Sequence, residues 1–597
     1  MTEPPAAAPS PSPAVRTVGV VGCGTMGSGI AEACARAGHD VVVRVLDEAH
    51  LKTGRARIED SLGRSVSQGR LEAEERDRAL ERISLTTDPR DFEAADLVVE
   101  AVPERLDAKR AVFAELQFLC RPDAVLATNT SSLPVIDLAA ASARPEQVVG
   151  LHFFNPAPVM KLVELVETVA TSPEVLARAR GFAESLGKTV VPCRDRAGFI
   201  ANLLLFPYLN EAVELLDSGH ATREDIDLAM RLGAGHPMGP LELVDLIGLD
   251  ACMQVLESLH QQFADTRYVP SPVFRQLVRA GFTGRKAGRG IYAYAEDGSS
   301  DRDLRPSHHL PAAEAEVTGM GVVGTGVVAS GMVEVAAKAG LDVVCWGRSE
   351  DSTGRARSAV ERSTERAVEK GNLDAPDREA LLGRITLTTD MGDLAACQVV
   401  VEAVAEDLGV KKGIFRALAE ATPDTAILAT ATSSLPVIDL AAETGRIERV
   451  LGIHFFNPVP VMKLVELIPT VATADPVLAT AVALVERLGK SWVLCRDRAG
   501  FVVNRLLFPY LNDAVRMVEE GYATPEDIDI AMTLGCNHPI GPLALVDLVG
   551  LDVTLSIVRS LHAELREPGY APAPLLEHMV RANFLGKKSG RGFRTAG

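Results

Sequence analysis

The sequence predicts an α/β, doubly wound domain followed by an all-α domain, with that pair repeated in tandem. Three observations carry the prediction. LHFFNPAPVMKLVEL from Leu151 returns as IHFFNPVPVMKLVEL from Ile453, and RDRAGFIANLLLFPYLN from Arg194 returns as RDRAGFVVNRLLFPYLN from Arg496, both 302 residues later. Short apolar runs alternate with helical stretches through the first part of each copy, which is the pattern of a mostly parallel sheet. After Asp195 that alternation stops, and the remainder of the copy reads as helix by period.

Length and charge narrow the function classes. At roughly 150 residues per domain, 597 residues make about four domains. Lysine and arginine number 61 against 80 acidic residues, a net charge of −19 with no basic run. Such a chain is a poor binder of polyanions, which argues against nucleic acid and anionic membrane surfaces. The nine cysteines show no metal-ligand spacing, which points to a reducing cytoplasm and no metal. Residues 1–15 read as a disordered Pro/Ala/Ser-rich tail without the features of a signal peptide. The nearly uncharged stretch at residues 317–333 is glycine-rich and aligns with a nucleotide-type loop in the other copy, so it is not read as a membrane helix.

Within the first copy, TVGVVG is the first strand, and Thr25 to Arg36 the first helix. HDVVVRV is the second strand, and a charged amphipathic helix or hairpin runs from Leu51 to about Glu81. DLVVEAV, DAVLATN, QVVGLHFF and KLVEL supply further strands. Thr222-Arg-Glu-Asp225 and Thr524-Pro525-Glu-Asp527 are helix N-terminal signatures in the all-α parts. The expected boundaries are 16–195 and 196–295 for the first pair, 296–316 for a polar linker, and 317–497 and 498–597 for the second pair.

Gly22-Cys-Gly24-Thr-Met-Gly27 follows a strand and opens a helix. The first glycine makes the turn, the second lets the backbone approach a pyrophosphate, and the third lets helix and strand pack closely. In this context the motif reads as a Rossmann-type dinucleotide site rather than merely a tight turn, and Gly324, Gly326 and Ala329 repeat it. The acidic residue expected about twenty residues on, to hold a ribose, is displaced. Asp47 is in range, either on the ribose or capping a loop. The second copy has Trp346-Gly347-Arg348-Ser349 instead. Arg348 suits a 2′-phosphate, which leaves NADP open there beside NAD, or it is an exposed arginine of a drifted site.

Three histidine pairs survive the 302 offset. His236/His538 sit in a HP turn and read as structural, and His260/His562 as solvated helix residues. His152 and His454 differ, because each ends an apolar strand where open α/β sheets place their ligands, with Glu164 or Glu466 twelve residues on. A neutral imidazole can take an alcohol proton while hydride leaves, and a carboxylate then stabilises the imidazolium. Ser131/Ser433 and Asn202/Asn504 are suitable donors to a carbonyl oxygen gathering charge. Cys193/Cys495, the one repeated cysteine pair, reads as a small buried hydrophobe.

Each copy resembles a full-length 3-hydroxyacyl-CoA dehydrogenase, the type that includes 3-hydroxybutyryl-CoA dehydrogenases. The matching stretches are VGVVGCGTMGSGIA, TNTSSLPV, GLHFFNPAPVMKLVELV, RAGFIANLLLFPYLNEA and LGAGHPMGPLELVDLIGLD, with their counterparts. The resemblance implies NAD(P)-dependent, reversible oxidation of (S)-3-hydroxyacyl-CoA to 3-oxoacyl-CoA, with His152 and His454 as bases. It implies that Asn155/Asn457 line the cofactor–substrate junction, and that Glu104, Lys109 and Lys286, with Glu406, Lys411 and Lys588, face NAD. Ser61, Ser363 and Lys370 would contact CoA, while Gln68 stands opposite Lys370 in the first copy. The copies also differ at Leu203/Arg505 and Asn129/Ala431, which suggests two sites of unequal preference. In the family the helical domain forms a dimer interface, so the two helical domains here would pair within one chain or with a second chain.

Two other readings fit the same residues. One is a dehydrogenase of the same fold acting on another 3-hydroxy acid, such as 3-hydroxyadipyl-CoA, a carrier-protein-bound hydroxyacyl unit or a sugar acid. The other is a non-catalytic nucleotide- or CoA-binding scaffold, against which the repeated His and Glu count.

Overall fold

The computed structural model describes residues 15–295, 299–301 and 308–594. The expected N-terminal tail, apart from Val15, and much of the expected linker lie outside these residues. The first copy begins β1 Thr17–Val21, α1 Thr25–Arg36, β2 Asp40–Arg44, α2 Glu48–Ser67, α3 Ala73–Glu81 and β3 Ile83–Thr86. It continues β4 Leu97–Glu100, α4 Leu106–Leu119, β5 Val125–Thr128, α5 Val135–Ala139 and β6 Val148–Phe153. The α/β part ends with β7 Leu162–Glu167, α6 Pro173–Ser185 and β8 Thr189–Arg194. Five helices follow: α7 Ala201–Asp217, α8 Arg223–Gly233, α9 Pro240–Ile247, α10 Leu249–Phe263 and α11 Pro272–Arg279.

The second copy repeats this order. It runs β9 Gly319–Val323, α12 Val327–Lys338, β10 Asp342–Trp346, α13 Glu350–Glu369, α14 Ala375–Gly383 and β11 Ile385–Thr388. Next come β12 Val399–Glu402, α15 Leu408–Ala421, β13 Ile427–Thr430, α16 Val437–Ala441 and β14 Val450–Phe455. Then follow β15 Leu464–Pro469, α17 Asp475–Arg487 and β16 Ser491–Leu494. Its helical part is α18 Val503–Glu519, α19 Pro525–Gly535, α20 Pro542–Val549, α21 Leu551–Leu565 and α22 Pro574–Arg581.

Each copy builds one eight-stranded sheet, ordered β3-β2-β1-β4-β5-β6-β7-β8 and β11-β10-β9-β12-β13-β14-β15-β16. Among the described residues, β6–β7 and β14–β15 are the only antiparallel pairs within these two sheets. The strand order reverses beside β1 and β9, which opens a crevice at the carboxyl ends of the strands. Because β1, β4, β5 and β6 run parallel, the glycine turn, Glu100, the loop after β5 and His152 emerge at the same edge. The charged segment after β2 is a helical hairpin, α2 and α3, packed on α1. Thr222 and Thr524 cap α8 and α19 through Asp225 N and Asp527 N, as their signatures predict.

Helices α7 and α18 are buried on nearly every side. They pack on each other, and one apolar core runs through both helical domains, from Leu209 and Val213 to Leu511 and Val515. Separate apolar clusters lie in each α/β domain, around Ile30 and Val43 in the first and Met332 and Cys345 in the second. Cys193 and Cys495 are buried, and burial pushes both thiols far up. His236 and His538 are structural, as expected: their rings stack across the two halves at 4.1 Å. His260 and His562 are part-exposed on their helices and are also bonded locally. Each ring nitrogen Nδ1 meets a backbone carbonyl just past its helix, Asp265 or Glu567. No helix among the described residues is long and apolar enough to cross a membrane.

Candidate active site

The antiparallel register of β6 and β7 sets His152 opposite Glu164, and that of β14 and β15 sets His454 opposite Glu466. Imidazole Nδ1 lies 2.6 Å from Glu164 Oε2 in the first half and 2.7 Å from Glu466 Oε2 in the second. Both carboxylates are wholly buried. Their second oxygen accepts two backbone N–H groups, from Ile200 (3.1 Å) and Ala201 (2.9 Å), or from Val502 (3.0 Å) and Val503 (2.9 Å). Those donors are presented by a turn in which Phe199 and Phe501 take φ of 50° and 51°. The same phenyl rings stand 5.5 Å from the imidazoles, and Phe154 or Phe456 stands at 4.6 or 4.7 Å. A carboxylate fixed on Nδ1 holds the proton there and leaves Nε2 as the basic nitrogen.

The serine and asparagine close around this pair. Asn202 Nδ2 donates to Ser131 O at 3.1 Å, and Asn504 Nδ2 to Ser433 O at 3.3 Å. The hydroxyls differ: Ser433 Oγ meets His454 Nε2 at 3.1 Å, whereas Ser131 Oγ donates to Glu104 Oε1 at 3.3 Å. Asn155 and Asn457 follow the histidines by three residues at the same strand ends. Asn129 Oδ1 accepts from Phe153 N at 2.8 Å and ties β5 to β6, a contact Ala431 cannot make.

The glycine turn fits a dinucleotide. Gly22 has φ of 97°, and a Cβ there would lie 2.8 Å from Ala101 O. A Cβ on Gly24 would project into open space, so the backbone at the start of α1 is accessible from that side. A Cβ on Gly27 would fall 2.0 Å from Gly22 O. The second half carries that Cβ as Ala329, and Gly324 has moved to φ of 131°. Its phosphate turn is therefore a different shape. Asp47 takes the capping role: its carboxylate accepts from His50 N at 2.9 Å at the start of α2. Arg348 is exposed and follows Gly347, at the position of the exposed Leu46 in the first half.

Lysines 109 and 411 lie deeper than expected. Lys109 Nζ is buried against Glu100 at 2.8 Å and reaches Glu104 at 3.2 Å, and Lys411 repeats this with Glu402 and Glu406. Burial works against the charge on Glu104 and Glu406. The lysine and hydrogen bonds from Thr130 and Ser131, or Thr432 and Ser433, outweigh it and hold both carboxyls below their ordinary range. The lysines therefore meet the buried Glu100 and Glu402 on one side and Glu104 and Glu406 of the cleft on the other. Glu100 and Glu402, which the sequence reading missed, are the buried anions that retain them. Their signal was an acid ending the fully apolar VVE strands in both copies. Lys286 and Lys588 pair with Asp250 and Asp552 at the starts of α10 and α21. From α10, Gln254 donates to Glu104 O at 2.7 Å and Ser258 to Ser132 O at 3.0 Å, docking the helical domain on the cleft.

Ser61 and Ser363 sit on α2 and α13, and Lys370 follows α13 directly. Beside the α2–α3 turn of the first half is a cleft of about 550 Å3 lined by Arg36, Arg70, Arg78, Arg82 and Lys188. The second half has Asn372 and Ala380 in place of Arg70 and Arg78, and Lys370 in place of Gln68.

The family pattern described as 3-hydroxyacyl-CoA dehydrogenase, NAD binding domain, matches residues 17–196 and 319–498. The corresponding C-terminal domain pattern matches residues 198–294 and 500–596. A 3-hydroxybutyryl-CoA dehydrogenase of Mycobacterium tuberculosis is 50% identical over 285 residues, 47% of this chain and 100% of that protein. A 3-hydroxyadipyl-CoA dehydrogenase of Escherichia coli is 33% identical over 568 residues, 94% of this chain and 97% of that protein. The crystal structure of a 3-hydroxybutyryl-CoA dehydrogenase from Escherichia coli K12 matches with a TM-score of 0.69 and 31% identity, covering 95% of this chain and 98% of that one. With both domain patterns present twice over sheets and helices of the matching kind, the chain belongs to the 3-hydroxyacyl-CoA dehydrogenase family and is an NAD-dependent oxidoreductase built as two tandem copies.

Proposed function

We propose that both halves are catalytic, each oxidising a (S)-3-hydroxyacyl-CoA to the 3-oxoacyl-CoA, reversibly, through its His–Glu pair. The observation that carries this reading is the buried pair itself, at 2.6 and 2.7 Å, repeated at equivalent strand ends. Nε2 of His152 or His454 takes the proton from the substrate hydroxyl. Glu164 or Glu466, held by two backbone N–H groups, fixes the tautomer and stabilises the imidazolium. General-base help of this kind is typically worth about 10²–10⁴ in rate. The amide of Asn202 or Asn504 and the hydroxyl of Ser131 or Ser433 orient the oxygen that becomes the carbonyl. The glycine turns, Glu104 and Glu406 form the nucleotide cradle. These residues would hold NAD, which would supply the hydride acceptor for C3.

The cationic cleft beside α2 supports a CoA thioester in the first half, because a phosphate-bearing chain finds Arg70 and Arg78 where Gln68 offers no charge. In the second half Lys370 fills that role. The second half is the one suited to NADP, since exposed Arg348 follows Gly347 with no acidic side chain ending β10. The full-length match to a 3-hydroxyadipyl-CoA dehydrogenase favours a carboxylated acyl chain as the second reading. The helical domains pair internally, which supports a pseudo-dimer in one chain. The nine cysteines are unpaired, in keeping with a reducing cytoplasm.

NADH formation from hydroxybutyryl-CoA and hydroxyadipyl-CoA by the His152→Ala, His454→Ala and double variants tests this. Each single variant retains the other half's activity, and the double variant loses about 10²-fold or more. Undiminished turnover in the double variant refutes the assignment.

A further inference from the structure

The two halves meet at more than their helical cores. Helix α8 of the first half packs on β15 and β16 of the second, and α19 of the second packs on β7 and β8 of the first. Each helical domain therefore braces the sheet that carries the other half's His–Glu pair. The residue shortly before α8's cap differs between the halves: His220 in the first and Tyr522 in the second.

His220 is buried and bound to the second half at both its backbone and its ring. Its carbonyl accepts from Arg496 N at 3.0 Å, and Ala221 bridges to Cys495. Its Nε2 lies 2.9 Å from Phe501 O. Burial pushes the imidazole down to about 4, so at neutral pH it is uncharged and Nε2–H donates to that carbonyl. Phe501 is the residue with φ of 51° in the turn that presents Val502 N and Val503 N to Glu466. Its ring also stands 5.5 Å from His454. One hydrogen bond from the first half thus grips the residue that sets both members of the second half's pair.

Around the first half's pair the arrangement is not the same. Tyr522 OH donates at 3.0 Å to Arg194 O, one strand end away from the equivalent turn at Phe199. We infer that His220 is a positioning residue for the active site of the opposite half, holding the Phe501 turn that orients Glu466 and His454, while the first half's site has no such histidine. This rests on the reading of both His–Glu pairs as catalytic.

The test uses the full chain. In a His152→Ala background, turnover reports the second half alone. There, His220→Phe lowers kcat about tenfold, with little change in KM, since displacing a catalytic constellation by about 1 Å can cost up to 10²-fold. His220→Gln, whose side-chain amide donates from the position of Nε2, restores most of the rate. His220→Asn, too short to reach Phe501, reproduces the loss if the phenylalanine variant misfolds. In a His454→Ala background the same substitutions leave the first half's rate unchanged. Independently of turnover, the low-field Nδ1 proton of His454 in NMR spectra shifts in the phenylalanine and asparagine variants and returns in the glutamine variant, while that of His152 stays. Equal losses in both halves, no rescue by glutamine, or an unmoved His454 proton overturns the inference. If neither half oxidises an acyl-CoA, the functional reading fails, and the proton signals still decide the role of His220.

Discussion

Glu164→Gln keeps shape and removes charge, so it isolates what the carboxylate does behind the imidazole. Its Oε1 faces two backbone donors, Ile200 N at 3.1 Å and Ala201 N at 2.9 Å, and its Oε2 faces His152 Nδ1 at 2.6 Å. A glutamine has one acceptor atom for three donors. If its oxygen serves the backbone, its NH2 faces Nδ1, and the ring must move its proton to Nε2. That tautomer cannot take a proton from substrate. If the amide is reversed, two buried N–H groups confront another donor, at about 1–3 kcal/mol each. The site is wholly buried, so solvent does not relieve either conflict. Loss of a charged hydrogen bond adds about 1.5–3 kcal/mol to the barrier, roughly ten- to a hundredfold in rate, and the tautomer or desolvation cost brings the total to about 10³. The assay is NADH formation in a His454→Ala background, where only the first half turns over. kcat falls about 10³-fold while NADH binding, followed by fluorescence, is unchanged. A variant that keeps more than a tenth of the parent kcat refutes the reasoning.

Two further outcomes follow from the same geometry. In a His152→Ala background, Arg348→Leu reproduces the first half's side chain and lowers kcat/KM for NADP about tenfold with NAD little affected, on the scale of a lost charge-assisted contact; equal effects on both nucleotides would dismiss Arg348 as a phosphate ligand. His220, His236 and His538 are buried between the halves, and burial lowers them from 6.5 to about 4, about 4 and about 3. A base depressed in the folded state stabilises it above the unfolded pKa and loses that contribution as pH falls through the folded value. Thermal melts should therefore drop steeply from about pH 6.5 to 4, each group accounting for up to roughly 3 kcal/mol, and His236→Gln with His538→Gln should flatten the slope. An unchanged slope would place acid sensitivity elsewhere.

The fold was legible because two periodicities survive in the sequence. The 302-residue repeat exposes the duplication, and the alternation of apolar runs with helices exposes the sheets. The His–Glu pair was legible as well. A hairpin through Asn155 and Lys161 gives period-two strands one register that puts both polar residues on one face. Strands β3 and β8 were not named in advance, since ISLT is short and Pro192 interrupts the donor row of TVVPCR. Glu100 escaped notice for a different reason. A glutamate at a strand end looks like a solvated loop residue until Lys109, nine residues on, folds back to neutralise it inside the protein. Contacts between the halves left no periodic trace at all.

What they did leave was mismatch, and the mismatches interlock. Arg505 of the second half pairs with Glu211 of the first at 2.7 Å, and Tyr570 donates to the same carboxylate at 2.6 Å. Across the pseudo-twofold the corresponding arginine is Leu203, and Asp513 is served instead by Arg267 at 2.7 Å. Arg267 fits only because its counterpart is Gly569, where a Cβ would lie 2.3 Å from the Arg267 Cδ. Two first halves facing each other would set Arg267 against a second Arg267 at the position that Gly569 leaves open. Two second halves would set each Arg505 beside the other copy's Asp513, the counterpart of Glu211, so that pairing keeps an ion pair. The first half's surface is thus matched to the second half and mismatched to itself at Arg267, so divergence at this interface favours pairing of the unlike copies over two first halves. That is the physical setting in which one helical domain can come to hold the other half's active-site turn by a histidine that its counterpart lacks.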